Sequence, residues 1–201
     1  MPSGDEIQRY LTAAWRLMLG RSDAVRLLDL SADGFWNSFF AIVVAAPVLI
    51  VGWVSAVNGL DDQPAGLPGR IGLLVVFALI DLATWIVPLV VLAFVLRPLG
   101  LGDRFVPYVV ASNWGSVIAA WLSLPAVLMS MVLGSRHDAA ATVGLLLFIV
   151  SLVLSWRLTN SVVNRGAGAA TAVFAIALGV GLATLFLLRA QFGLDLPQSS
   201  G

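Results

Sequence analysis

Residues 71–96 read IGLLVVFALIDLATWIVPLVVLAFVL, an apolar run with one charged residue, Asp81. A helix rises about 1.5 Å per residue and the hydrocarbon core of a bilayer is about 30 Å thick, so about 20 apolar residues cross it. This run is long enough to span. Four other runs share its character: 35–57, opening FWNSFFAIVVAAPVLIVGW, then 105–133, 139–156 and 167–188. The run 139–156 is short and can extend to Asn160 or beyond, while 105–133 must tilt, bend or protrude. Pro47, Pro88 and Pro125 fall inside spans. Each removes a backbone hydrogen bond and invites a kink.

Composition agrees with these runs. Hydrophobic residues make up 60% of the 201 residues and charged residues 11%. Soluble domains carry roughly 25% charged residues, so this chain cannot cover an aqueous globule of its size. The expectation is an all-α integral membrane bundle of five transmembrane helices over 35–189. An amphipathic helical segment over 1–34 precedes it and a short exterior tail over 190–201 follows. The first apolar run begins late and is long enough to span, so no cleavable signal peptide is expected.

Several chemistries are excluded by residue type. There is no Cys, and all 11 basic residues are Arg. Thiolate metal sites, disulfides and a catalytic lysine are therefore out of reach. The single His137 cannot make a multi-histidine metal site, so neither metal nor cofactor is expected. The 11 acids balance the 11 arginines, which argues against nucleic acid as a partner. The partner implied is the lipid bilayer, with a membrane-protein partner or a homo-oligomer as further options.

The arginines also orient the chain. Arg9, Arg16, Arg21, Arg26, Arg97, Arg104, Arg157 and Arg165 fall on one side, and Arg70, Arg136 and Arg189 on the other. The positive-inside rule then puts the N-terminus in the cytoplasm and the C-terminus outside. The Asp61–Asp62 loop and the Arg136-His137-Asp138 turn face outward in that scheme. Arg-only, Ala- and Leu-rich usage resembles that of a GC-rich bacterial genome, so a bacterial inner membrane with a periplasmic C-terminus is expected.

The N-terminal segment has local signals of its own. Ser3 and Glu6 fit a capping box, and Ile7, Tyr10, Leu11, Ala14 and Met18 share a helical face. Gly20 is a stop, Ser22 can cap a second short helix, and Ser31 or Asp33 can cap the first span. The simplest expectation is a helix lying on the inner leaflet with Trp15 at headgroup depth; a docking surface for a cytosolic partner is the sharper one. Trp36, Trp53, Trp114 and Trp156 are expected mostly as membrane-interface anchors.

Asp81 is the most informative residue. An Asp at mid-bilayer costs about 2.5–3.5 kcal/mol on insertion scales, so it requires a partner, a proton or water. It lies about 15 Å below the outer boundary, and Asn113 on the next span lies at a comparable level, about 18 Å below it. Ser112, Ser116 and Thr84 fall within a turn of these two. One expectation is an interhelical hydrogen-bond clamp between Asp81 and Asn113, worth under about 2 kcal/mol. The other is a proton or cation site. A lone acid supplies no relay, so the clamp is weighed first. A cavity reaching Asp81 would favour transport, and a dry Asp81–Asn113 contact a scaffold.

Two further patterns merit weighing. Gly168, Ala172, Ala175, Gly179 and Ala183 form a small-residue stripe that permits close helix approach, within the bundle first and between copies second. Gly100-Leu101-Gly102-Asp103 spells GxGD, similar to the motif of intramembrane aspartyl proteases. Such an enzyme needs two neighbouring carboxylates, and Asp81 is about 22 Å of helix away. A tight inter-span turn explains the glycines, so no catalytic residue and no enzyme is expected. Asn160 and Asn164, with Arg157 and Arg165, are expected in a solvated inner loop.

Asp29-Leu30 stands just before the first span. VPYVVASNWGSVIAAWLSLP, running through Tyr108 to Pro125, combines aromatic, small and proline residues. Trp156 is followed by the small-residue run from Gly166 to Ala172. With five spans and a cytoplasmic N-terminus, these features resemble the Yip-domain family of multi-span membrane proteins. The resemblance implies a non-enzymatic role in membrane organisation, as a scaffold or accessory subunit. A small proton- or cation-coupled transporter or channel component using Asp81 is the alternative, and a GxGD-type intramembrane protease the remote one.

Overall fold

The structure is a computed structural model, and it describes residues 1–60, 66–133 and 138–194. Asp61 and Asp62, Arg136 and His137, and residues 195–201, all expected on the outer side, lie outside the described residues. Among the described residues the chain is helical, with no strand. Helix α1 runs over Gly4–Met18, and a 3₁₀ turn over Ser22–Leu27 follows it. Helices α2 (Ala32–Ser38) and α3 (Ala41–Asn58) together make the first span. The rest are α4 (Leu67–Val95), α5 (Phe105–Leu133), α6 (Asp138–Val163) and α7 (Ala167–Gln191).

Among the described residues, five helices are long and apolar enough to cross a membrane, with mean hydropathy between 2.0 and 2.5. Their outward faces are apolar. Leu145, Leu146, Phe148, Ile149 and Val153 on α6 are exposed, as are Phe186 and Leu187 on α7. Hydrocarbon is the solvent that suits such faces. Pro47, Pro88 and Pro125 lie inside α3, α4 and α5 as expected. The α6 helix continues two turns past residue 156 to Val163. Asn160 is therefore a half-buried helical residue rather than part of a solvated loop. Asn164, exposed and at φ +46°, ends that helix in the left-handed region Asn tolerates.

The first span starts where its cap lies. Ser31 Oγ accepts the Gly34 N–H at 3.1 Å, and the Asp29 carboxylate accepts the Ser31 N–H at 3.0 Å. That bond holds the Asp29 carboxyl below its ordinary range. Gly34 is required here, because a Cβ would run into the Asp29 carbonyl. At Phe39–Phe40 the backbone switches to i→i+3 bonds, which bends α2 against α3.

The α1 helix begins with the expected capping box, Ser3 and Glu6 bonding reciprocally. The Ser3 backbone N–H holds the Glu6 carboxyl below its usual value. Gly20, at φ +89°, ends the helix. Much of the apolar face of α1 packs on protein. Tyr10, Ala13, Ala14, Leu17 and Met18 are buried against α5 and α6. On α5, Trp114 and Gly115 lie against α1. Trp114 is wholly buried, with its ring centroid 5.4 Å from that of Tyr10. It is a core residue, where sequence position suggested an interface anchor.

α5 is the hub, touching α1, α2, α3, α4 and α6, while α7 packs on α4 and α6. The largest buried side chains gather at the end where α1 docks: Leu17, Leu92, Leu96, Val109, Trp114 and Val163 among them.

Candidate intramembrane site

A cavity of about 420 Å³ opens between α4, α5, α6 and α7, with Leu49 of α3 and Met18 of α1 at its wall. Its polar lining comes from three helices. Asp81 and Thr84 sit on α4, Tyr108, Ser112 and Ser116 on α5, and Ser155 and Thr159 on α6. The spacing explains how one helix supplies several groups. Residues 81, 84, 85 and 88 recur at three- and four-residue intervals and share a face, as do 108, 112, 115 and 116. Gly115 lets the walls close in. A Cβ there would lie 2.7 Å from Leu158 Cδ1 and 3.2 Å from Met18 Cε.

Asp81 and Asn113 do not bond to each other. The Asp81 carboxylate accepts the Trp53 indole N–H of α3 at 2.6 Å. Asn113 accepts the Trp85 N–H at 2.9 Å and donates to Ser38 at 2.8 Å, and Ser38 donates to the Phe35 carbonyl at 2.7 Å. An interhelical clamp is present, but it is built on Asn113 and joins α2, α4 and α5. Asn113 is fully buried behind the cavity wall. Of the five residues expected to cluster, Asp81, Thr84, Ser112 and Ser116 line one space, and Asn113 does not. Ser130 of α5 instead pairs with Ser55 of α3 at 2.9 Å.

Two groups near Asp81 escape a sequence reading. Trp53 was assigned to the interface. Arg189, near the end of α7, lies close enough for its charge to act on the carboxylate, although it does not line the cavity. α4 and α7 are antiparallel neighbours, which brings Arg189 back toward the middle of α4. Nothing in the spacing of the sequence reveals that pairing.

Two of the hydroxyls have their protons turned away. Ser112 Oγ donates to the Val109 carbonyl at 3.1 Å, and Thr159 Oγ1 to the Ser155 carbonyl at 2.9 Å. Each oxygen keeps lone pairs for the cavity. Thr84 Oγ1 is buried and has no partner among the described residues.

At the arginine-rich end the cavity meets the last turn of α1. Arg157 of α6 donates to the Met18 carbonyl at 2.8 Å and to the Leu19 carbonyl at 2.6 Å, and Ser161 donates to the Leu17 carbonyl at 2.9 Å. These carbonyls lie at the negative end of the α1 dipole, where a helix lacks i→i+4 partners; that of Leu17 also accepts the Gly20 N–H at 2.9 Å.

The small-residue stripe of α7 is not where this chain packs. Gly168, Ala172, Ala175, Gly179 and Ala183 are all exposed, and a Cβ on Gly168 or Gly179 would meet nothing within 4 Å. The packed face is the opposite one. Ala170, Val173 and Gly181 are buried there, and a Cβ on Gly181 would lie 3.7 Å from Pro88 Cγ. Both sides of α7 are rich in small residues, so residue size alone does not choose between them.

Asp103 of the GxGD segment is paired with cations. Its carboxylate lies 3.1 Å from Arg104 and 3.2 Å from Arg165. Among the described residues no group of three His, Asp or Glu could hold a metal ion. No family model, no curated protein and no solved structure matches the chain.

Proposed function

We propose that this multi-pass membrane protein moves a proton or a cation by way of Asp81, as a small transporter or channel component. One observation carries the proposal. A cavity of about 420 Å³ reaches an intramembrane carboxylate and is lined by hydroxyls from three helices. A polar space of that size is large enough to hold water. An intramembrane acid facing a cavity is a functional group by default, because its insertion cost needs a return. The test is flux in liposomes containing the purified protein and an internal pH indicator. After an external pH step, with and without a membrane potential, the interior is expected to respond faster than in empty liposomes. An unchanged rate under both conditions removes the proton, and absence of potential-driven uptake of a labelled monocation into the same liposomes removes the cation; the two results together overturn the proposal.

The arginine distribution supports a cytoplasmic N-terminus and a periplasmic C-terminus in a bacterial inner membrane. Reporter fusions at the two ends are expected to be active on opposite sides; two fusions active on one side contradict that threading. A scaffold role of the Yip-like kind is the second reading. It is favoured by the outward small-residue stripe of α7, a surface that suits a neighbouring helix.

A further inference from the structure

The cavity has a chemical bias that goes beyond a site for a bare proton, and it deepens the function proposed above, on which it rests. We infer that its ligand is a small organic monocation, an ammonium compound with an apolar body. Among the described residues, the charged group lining the space is a carboxylate. Asp81 brings a carboxylate, one oxygen of which takes Trp53 while the other is uncommitted among the described residues. Ser112 and Thr159 have spent their protons on carbonyls of their own helices, leaving oxygen lone pairs for the cavity. The indole donors close by are also spent, Trp53 on Asp81 and Trp85 on Asn113. An anion would meet the Asp81 carboxylate here, a like charge, while an ammonium group finds a charge partner and oxygen acceptors.

The remaining wall fits the body of such a ligand. Trp85, Tyr108 and Phe174 bring aromatic rings to the same space, and ring faces attract cations as well as apolar groups. The volume lies inside the range of small-molecule sites. It exceeds what a dehydrated metal ion needs, and a single carboxylate is a poor ligand set for a divalent ion. Arg189 is the opposing charge near Asp81. It does not line the cavity, so it does not occupy the ligand's place.

The experiment compares benzylammonium with benzyl alcohol, its neutral near-isostere, on protein in lipid nanodiscs, read by calorimetry and by tryptophan fluorescence against empty nanodiscs. Saturable binding is expected for the ammonium alone. Asp81→Asn is expected to weaken it at least about tenfold, the share of a charge-assisted contact. Ser116→Leu, which fills the cavity and keeps the carboxylate, is expected to abolish it. Helix content by circular dichroism accompanies each variant. Equal saturable binding of the alcohol, no saturable binding of the ammonium, or undiminished binding by folded Ser116→Leu protein overturns the inference. Proton flux that persists without ammonium binding leaves the proton role standing and removes only the organic cation.

Discussion

Asn in place of Asp81 is expected to reduce flux through the reconstituted protein to that of empty liposomes, while the protein assembles with unchanged helix content. The two expectations separate because the substitution removes the ionisable group but keeps an acceptor for Trp53. The Trp53–Asp81 bond, at 2.6 Å, is short enough to be charge-assisted, so some stability should be lost. Interhelical hydrogen bonds in membranes are typically worth under about 2 kcal/mol, and the amide oxygen retains part of that. The Asn113 clamp to Trp85 and Ser38 is untouched and continues to join α2, α4 and α5. The measurement pairs the flux assay with circular dichroism and gel filtration in detergent. Full flux from the folded variant would leave Asp81 as a structural residue only.

Removing Arg157 is expected to release α1 from the bundle. The guanidinium binds two carbonyls of the last turn of α1, at 2.8 and 2.6 Å, from a helix more than a hundred residues away in sequence. Charge-assisted hydrogen bonds contribute about 1.5–3 kcal/mol, and their loss leaves two carbonyls to find water. Arg157→Ala should therefore raise hydrogen exchange in the second half of α1 by roughly 10- to 100-fold, since local opening governs exchange. Arg157→Lys should fall between, because one ammonium replaces a planar fork poorly. Met18 lines the cavity, so a released α1 also uncovers it at the arginine-rich end. Accelerated flux in Arg157→Ala would identify α1 as its gate. Unchanged exchange in α1 would mean that the buried Tyr10, Leu17 and Met18 hold it alone.

The spans were legible because apolar run length is one-dimensional information. The Ser3–Glu6 box, the Gly20 stop and the Ser31 cap were legible because caps are local. The centre of the molecule was less so. Depth arithmetic put Asp81 and Asn113 at one level but could not give the rotation of each helix about its axis. Asp81 therefore met Trp53, and Asn113 met Trp85 and Ser38. Rotation also decided the stripe of α7, whose small residues face outward while Gly181 faces Pro88. Trp114 was misjudged for a related reason. An amphipathic α1 read alone implies lipid beneath it, but its buried face meets α5. Arg189 lay beyond reach because its closeness to Asp81 depends on which helices are neighbours.

The native chain has no cysteine, so a single introduced thiol can be read without background. Ser116→Cys in the cavity wall and Val153→Cys on the exposed face of α6 pose the central question in membranes, using a small, charged, membrane-impermeant thiol reagent. The account predicts labelling at 116, slowed by a saturating organic ammonium, and none at 153. An unreactive 116 would mean a dry bundle with no aqueous route to Asp81, and equal labelling at both positions would mean that α6 does not face hydrocarbon.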